Sequence, residues 1–144
     1  MIIIIILIIG LDQLTKFIFN NNLVLNSPNP VLKGFFYLTL VHNRGAAFGI
    51  LKNQSLLFIL SSVFAISLIC FNLKNSKRDK KLPLNNLALV LILSGAIGNL
   101  IDRLFLGYVI DFLDFCVWPV FNVADSAITI GAVLLVWSLF KKEN

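Results

Sequence analysis

Asp111 and Asp125 are the residues of this chain best suited to chemistry. They belong to a larger group. Of the seven acidic residues, Asp12, Asp102, Asp111, Asp114 and Asp125 lie inside or at the ends of strongly apolar segments. A carboxylate costs roughly 2.5–3.5 kcal/mol at the centre of a membrane helix and less toward the interface, so acids that collect there face each other or a wet cavity. Asp111 falls in Tyr108-Val-Ile-Asp-Phe-Leu-Asp114, just beyond the third apolar segment, and Asp125 opens the fourth. A connection this short can bring the two carboxylates within a few ångströms. Such a pair cannot easily ionise twice, so it shares a proton. The ionised member can then take a proton from water while the neutral one donates to a carbonyl oxygen. That is the chemistry of an aspartic protease, and it calls for no metal and no cofactor. Plainer roles exist for each alone. Asn122 can cap a helix with Asp125 in its first turn, worth about 0.3–1 kcal/mol, and Asp111 can be a solvated loop carboxylate.

Other polar residues cluster around this pair in the sequence. Asp12 and Lys16 are four apart on one helical face, the spacing of an ion pair. Asn99 lies within an apolar segment and its amide needs a partner there. Asp102 and Arg103 end the same segment, with Arg103 long enough to snorkel to lipid phosphates. Gly95 and Gly98 suit close helix packing. Asn43 and Gly45 can form a turn, or Asn43 can present its amide to an extended peptide.

The elements that must position these residues are membrane helices. The chain has 144 residues, of which 58% are hydrophobic, against about 45–50% for an average soluble domain, and its mean hydropathy is +0.92. Apolar runs over 2–19, 55–73, 84–101 and 122–140 each approach the ~20 residues needed to cross ~30 Å of hydrocarbon. The isoleucine run near the N-terminus would suit a strand in water, but in lipid the backbone must satisfy itself, so helix is expected. It carries no basic flank or small-residue cleavage pattern and reads as a retained span.

The net charge of +5 does not signal nucleic-acid binding. Lys74, Lys77, Arg78, Lys80 and Lys81 crowd one loop, and Lys141 and Lys142 lie near the C-terminus. Basic loops mark the cytoplasmic side. The expected fold is an all-α membrane protein of one domain, residues 1–144, with four transmembrane helices and both termini cytoplasmic. Segments 20–54 and 102–121 then lie outside. The first holds turn residues at 26–30 and strand formers at 34–42, followed by a short apolar stretch at 46–51, so a small extracytoplasmic β-sheet and a short interfacial helix are expected between the first two spans. The two cysteines, Cys70 and Cys116, fall on opposite sides and are not expected to pair. A single histidine, His42, leaves zinc without support.

With these blocks in view, the chain resembles the bacterial prolipoprotein signal peptidases, or signal peptidase II. The resemblance runs in order through Asp12-Gln-Leu-Thr-Lys16, His42-Asn-Arg-Gly-Ala-Ala-Phe-Gly49, Gly98-Asn-Leu-Ile-Asp-Arg103, Gly107-Tyr-Val-Ile-Asp-Phe112 and Phe121-Asn-Val-Ala-Asp-Ser126. It implies that Asp111 and Asp125 are catalytic. It also implies that Asn43, Gly45, Asn99, Arg103 and Asn122 face or support substrate, with Asp12 and Lys16 holding the site together. The implied substrate is a diacylglyceryl-modified prolipoprotein, cleaved just before the lipidated cysteine. The implied setting is the bacterial inner membrane, with the site at its outer face, lipids as neighbours and the protein a monomer. Two departures stand out: the stretch 114–121 is short for the family, and Arg44 places a charge at a variable position.

Two other readings compete. A small four-helix proton-coupled transporter could use Asp12 as carrier, but its site is expected at the midplane, whereas Asp102, Asp111, Asp114 and Asp125 gather outside. A scaffold whose acids merely cap helices requires Asp111 and Asp125 to lie far apart.

Overall fold

In a computed structural model, which describes residues 1–45, 55–76 and 83–142, the chain forms four helices and a three-stranded sheet. Helix α1 spans Ile2–Asn22, α2 Ser55–Ser76, α3 Pro83–Phe105 and α4 Val123–Lys142; strands β1, β2 and β3 span Pro28–Leu32, Phe36–Asn43 and Val109–Asp114. Each expected span is a helix. Three of them, α1, α2 and α3, are long and apolar enough to cross a membrane, while the apolar part of α4 runs over the shorter Val123–Ser138. The interfacial helix expected at 46–51 and most of the basic loop after Lys74 lie outside the described residues.

The helices carry an inverted pattern. In α1 the buried residues are Asp12 and Lys16, and the exposed ones include Ile2, Ile3, Leu7, Leu14 and Phe17. Polar groups therefore meet inside while aliphatic side chains face outward, as a hydrocarbon solvent requires. Helices α3 and α4 make the most extensive pairing; α1 packs on both, and α2 packs on α3. Close approach depends on missing side chains. A Cβ on Gly98 would stand 2.7 Å from the Asp12 carboxylate and 3.3 Å from Ala124 Cβ, and one on Gly95 would collide with the α4 backbone at Ala124. Both glycines thus serve helix packing, as their setting in the sequence suggested.

The sheet has the order β1-β2-β3, both pairs antiparallel. Two of its strands differ from expectation. Residues 28–30, whose types favour a turn, form most of β1, which is exposed throughout; prolines are tolerated on such an edge because no ladder N–H is needed there. Asp111, expected in a loop, lies in β3. There Val109, Ile110 and Phe112 are buried, and Phe112 packs on Phe19 of α1 at 4.4 Å between ring centroids. Gly107, at φ +78°, makes the turn from α3 into this strand.

Candidate active site

The backbone brings Asp111 and Asp125 together by a short return. Phe121 pairs with Leu113 through N–H···O bonds of 2.8 and 3.0 Å in opposite directions. Residue 122 therefore lands beside β3 and begins α4. Asn122 is the N-cap: its Oδ1 accepts from the Asp125 N–H at 2.9 Å, and its own N–H donates to Asp125 Oδ2 at 3.3 Å. The capping role expected of Asn122 is realised in this reciprocal form. It accounts for one oxygen of Asp125. The other, Oδ1, accepts from Asn99 Nδ2 at 2.7 Å.

Asp111 is held the same way. Its Oδ1 accepts from Asn122 Nδ2 at 2.8 Å and its Oδ2 from Asn43 Nδ2 at 3.0 Å. The Asn122 amide also reaches Asn99 Oδ1 at 3.1 Å and the Ile110 carbonyl at 3.2 Å, so its two hydrogens serve three acceptors. Asn43 Oδ1 accepts from the Gly45 N–H at 3.0 Å. Each end of the Asn43 amide thus makes a bond within the protein, its nitrogen to Asp111 and its oxygen in the turn to Gly45.

Behind this layer stands a second pair of carboxylates. Lys16 Nζ lies 2.8 Å from Asp12 Oδ2 and 2.9 Å from Asp102 Oδ2, and it donates to Asn99 Oδ1 at 3.0 Å. Those are the three donors an ammonium has. The bond to Asn99 fixes which end of that amide faces which neighbour: oxygen toward Lys16, nitrogen toward Asp125. Asp12 Oδ1 accepts from the Ala124 N–H at 2.9 Å, and Asp102 Oδ2 from the Ile110 N–H at 3.0 Å. One buried cation and two carboxylates therefore tie α1 and α3 to the start of α4 and the start of β3.

Asp111 and Asp125 line one cavity of about 240 Å³ with Asn43, Gly45, Arg103 and Phe121. The separation required by a scaffold of independent caps is not found. Arg103 does not reach away from the protein. It is partly buried, lines this cavity and lies over the Phe58 ring of α2 at 5.5 Å. Burial, followed by the nearby charge of Asp125, pushes the Asp111 carboxyl up to about 7, against the pull of the Asn43 and Asn122 hydrogen bonds and of Lys16. Among the described residues no group of His, Cys, Asp or Glu is arranged to hold a metal ion. Both described cysteines are free and exposed.

Three residues near the site are not singled out by sequence for the roles they have. Gln13 Nε2 donates to Asp102 Oδ1 at 3.0 Å and Asp12 Oδ2 at 3.1 Å, stitching the second carboxylate pair; its place next to Asp12 is the available signal. Asp114 accepts from Thr39 Oγ1 at 2.7 Å and from the Cys116 N–H at 2.9 Å, which shapes the return from β3 to α4. Trp118, 65% exposed, lines the cavity edge.

This architecture has counterparts. Residues 4–141 match the family described as "Signal peptidase (SPase) II". The chain is 47% identical over 133 residues to the lipoprotein signal peptidase of Moorella thermoacetica, covering 92% of this chain and 87% of that protein. It is 43% identical over 142 residues to that of Halothermothrix orenii, covering 99% and 96%. A solved structure described as "Bacterial membrane enzyme structure by the in meso method at 2.3 A resolution" superposes with a TM-score of 0.88 at 30% identity, covering 99% of this chain and 88% of that one.

Proposed function

The chain belongs to the signal peptidase II family and is a peptidase, and from that premise we propose that Asp111 and Asp125 are its catalytic pair. The observation that carries this reading is that two carboxylates, each held by two N–H donors, share a cavity bordered by Arg103 and, among the described residues, neither makes an ion pair, while the neighbouring pair is neutralised by Lys16.

In the proposed reaction Asp111, whose carboxyl keeps its proton up to about pH 7, donates to the scissile carbonyl oxygen. Asp125 is the ionised partner. Its place in the first turn of α4, among N–H groups with no helical partner, favours negative charge. It takes a proton from water as the oxygen attacks the carbonyl carbon. The tetrahedral intermediate then returns its proton to Asp111 and collapses, and the proton on Asp125 passes to the departing amine. The products are a carboxyl-terminal acid and a free amino terminus, and the pair is restored. Asn43, Asn99 and Asn122 orient the two acids, Gly45 and Arg103 border the peptide, and Asp12 and Lys16 hold Asn99 and the start of α4 in place.

The proposed substrate is a diacylglyceryl-modified prolipoprotein cut just before its lipidated cysteine. The name of the relatives, lipoprotein signal peptidase, supports this. A site at the end of apolar helices also suits a peptide bond presented beside a lipid. We further propose that residues 1–144 act as one integral domain and as a monomer in the bacterial inner membrane. It crosses four times with both termini cytoplasmic, and the aspartates lie at the outer face. The basic residues of 74–81 and 141–142 support that orientation. A proton-coupled transporter centred on Asp12 has little support, since Asp12 is already bound to Lys16, Gln13 and the Ala124 N–H.

The test is cleavage of a diacylglyceryl prolipoprotein and of its unlipidated precursor by purified protein. The expected result is cleavage of the lipidated form alone, with turnover reduced by about 10²–10⁴ in Asp111→Asn and in Asp125→Asn, the range associated with loss of an acid or base. Substantial turnover by either variant removes the pair from the mechanism.

A further inference from the structure

Asn43 closes the turn that ends β2, its nitrogen donating to Asp111 and its oxygen accepting from the Gly45 N–H. Arg44 is the middle residue of that turn and is exposed. Its guanidinium lies 5.9 Å from the centre of the Tyr108 ring, within the ~6 Å reach of a cation–π contact. Tyr108 is itself held. It stacks on His42 at 4.1 Å between ring centroids, and His42 Nε2 bonds Asn20 Oδ1 near the end of α1 at 2.9 Å. Residues 42 and 108 thus make an aromatic shelf that presents one guanidinium outward. What Arg44 lacks is an acid. Among the described residues the ion pairs are those of Lys16. Residues 13–78 contain no Asp or Glu at all. Beyond the two carboxylate pairs, the remaining described acid is Asp114, which already accepts from Thr39 and from the Cys116 N–H.

We infer that Arg44 is a specificity-determining residue, pairing with a carboxylate that the substrate carries a few residues beyond the cleaved bond; the inference rests on the reading of Asp111 and Asp125 as the catalytic pair. Distance sets the position. Tyr108 precedes Asp111 by three residues of extended chain, about 10 Å at ~3.3 Å per residue. An extended substrate with its reacting carbonyl at Asp111 covers that length in three residues. Chemistry sets the side of the cut. A signal peptide is apolar through its core and lies in hydrocarbon, where a carboxylate is costly. The chain after the cut leads into water and can carry acids freely. The shelf holds the guanidinium in place before the acid arrives, which reduces the ordering cost of the contact. The pair is exposed and screened by salt, so its effect is a graded preference. A lipid phosphate offers the same charge, but it is present whatever the substrate, and substrate dependence tells the two apart.

The test is competition between diacylglyceryl lipopeptides that differ only at the third residue after the cleaved bond, which is Glu, Gln or Lys. The substrates share one reaction, so the product ratio gives the ratio of kcat/KM whatever fraction of the enzyme is folded. In uncharged detergent at low salt, wild-type protein is expected to prefer Glu to Gln by about two- to fivefold, the effect of one exposed ion pair, and Gln to Lys. Arg44→Gln is expected to bring the Glu-to-Gln ratio to about one, and Arg44→Glu to reverse it. Moving the Glu to the tenth residue is expected to abolish the preference. A wild-type protein indifferent to charge, or a ratio unaltered in both variants, overturns the pairing and leaves the catalytic pair standing. So does a preference that persists with Glu at the tenth residue, which is long-range attraction. An Arg44→Gln loss equal for all three substrates and confined to anionic vesicles is a lipid-headgroup contact and also overturns it. Undiminished cleavage by Asp125→Asn overturns the catalytic reading itself and, with it, the distance on which the pairing rests.

Discussion

Two pairs of carboxylates sit within one hydrogen-bonded network, and they are treated differently. Asp12 and Asp102 share Lys16, at 2.8 and 2.9 Å. Among the described residues Asp111 and Asp125 make no ion pair, and the amides of Asn43, Asn99 and Asn122 supply their side-chain donors. Taking charge out of water is tolerable when an opposite charge goes with it, so the first pair can be fully ionised and act as a tie. Among the described residues the second pair has no ion-pair partner, and burial with the neighbouring Asp125 pushes the Asp111 carboxyl up. One buried cation thus distinguishes the pair tied to Lys16 from the pair proposed to exchange protons. Asn99 connects them: its oxygen answers to Lys16 and its nitrogen to Asp125.

The sharpest way to break this comparison is Lys16→Met. Removing one partner of a buried ion pair costs about 3–5 kcal/mol, and here two carboxylates lose their cation at once. The expected outcome is a large drop in thermal stability in detergent, far beyond that of Asp125→Asn, which removes turnover with a modest change in stability. Equal stability of Lys16→Met and the wild type would show that the tie is not what holds α1, α3 and α4 together.

A smaller effect concerns pH. The folded-state value for Asp111, about 7, lies above its ordinary 3.8, so the folded protein binds this proton more tightly than the unfolded chain does. Its contribution to stability is complete below about pH 4, declines as pH rises toward 7 and is flat above, a change on the order of a few kcal/mol. Asp111→Asn has no such proton. Melting curves of the wild type are expected to shift downward between pH 5 and pH 8, and those of Asp111→Asn to shift less.

The smallest effect is expected at Asp114, outside both pairs. Asp114→Asn keeps one acceptor oxygen for Thr39 and Cys116, which both donate to the carboxylate now. A loss of about 1 kcal/mol is expected, the worth of one hydrogen bond, with turnover retained. Loss of turnover there would extend the working group beyond Asp111 and Asp125.

How far the sequence reaches follows the same physics. The spans are legible because a hydrocarbon solvent demands long apolar helices, and the Asp12–Lys16 pair because i,i+4 spacing is local. The Asn122–Asp125 cap is local too. What stays hidden depends on distant partners. Strand β3 exists because Val41, His42 and Asn43 pair with Asp111, Ile110 and Val109, which no local pattern in 109–114 announces. Prolines at 28 and 30 argue for a turn, and only the edge position of β1 makes them acceptable in a strand. The links between α1 and α3, from Lys16 to Asn99 and from Gln13 to Gly98 and Asp102, span more than 80 residues of sequence separation. The relation of Asp111 to Asp125 is legible as chemistry before it is legible as geometry, because desolvating two acids at a membrane edge is costly unless they share a proton or face water.

The proposed catalysis requires a proton on Asp111, which burial and the neighbouring Asp125 favour. Infrared titration of the carboxyl C=O stretch, with Asp111→Asn used to assign the band, measures it directly. The expected result is a protonated Asp111 band that disappears around pH 7 in the wild type and at lower pH in Asp125→Asn, where the neighbouring charge is gone. A band already absent at pH 5, or one that titrates identically in the wild type and in Asp125→Asn, contradicts it.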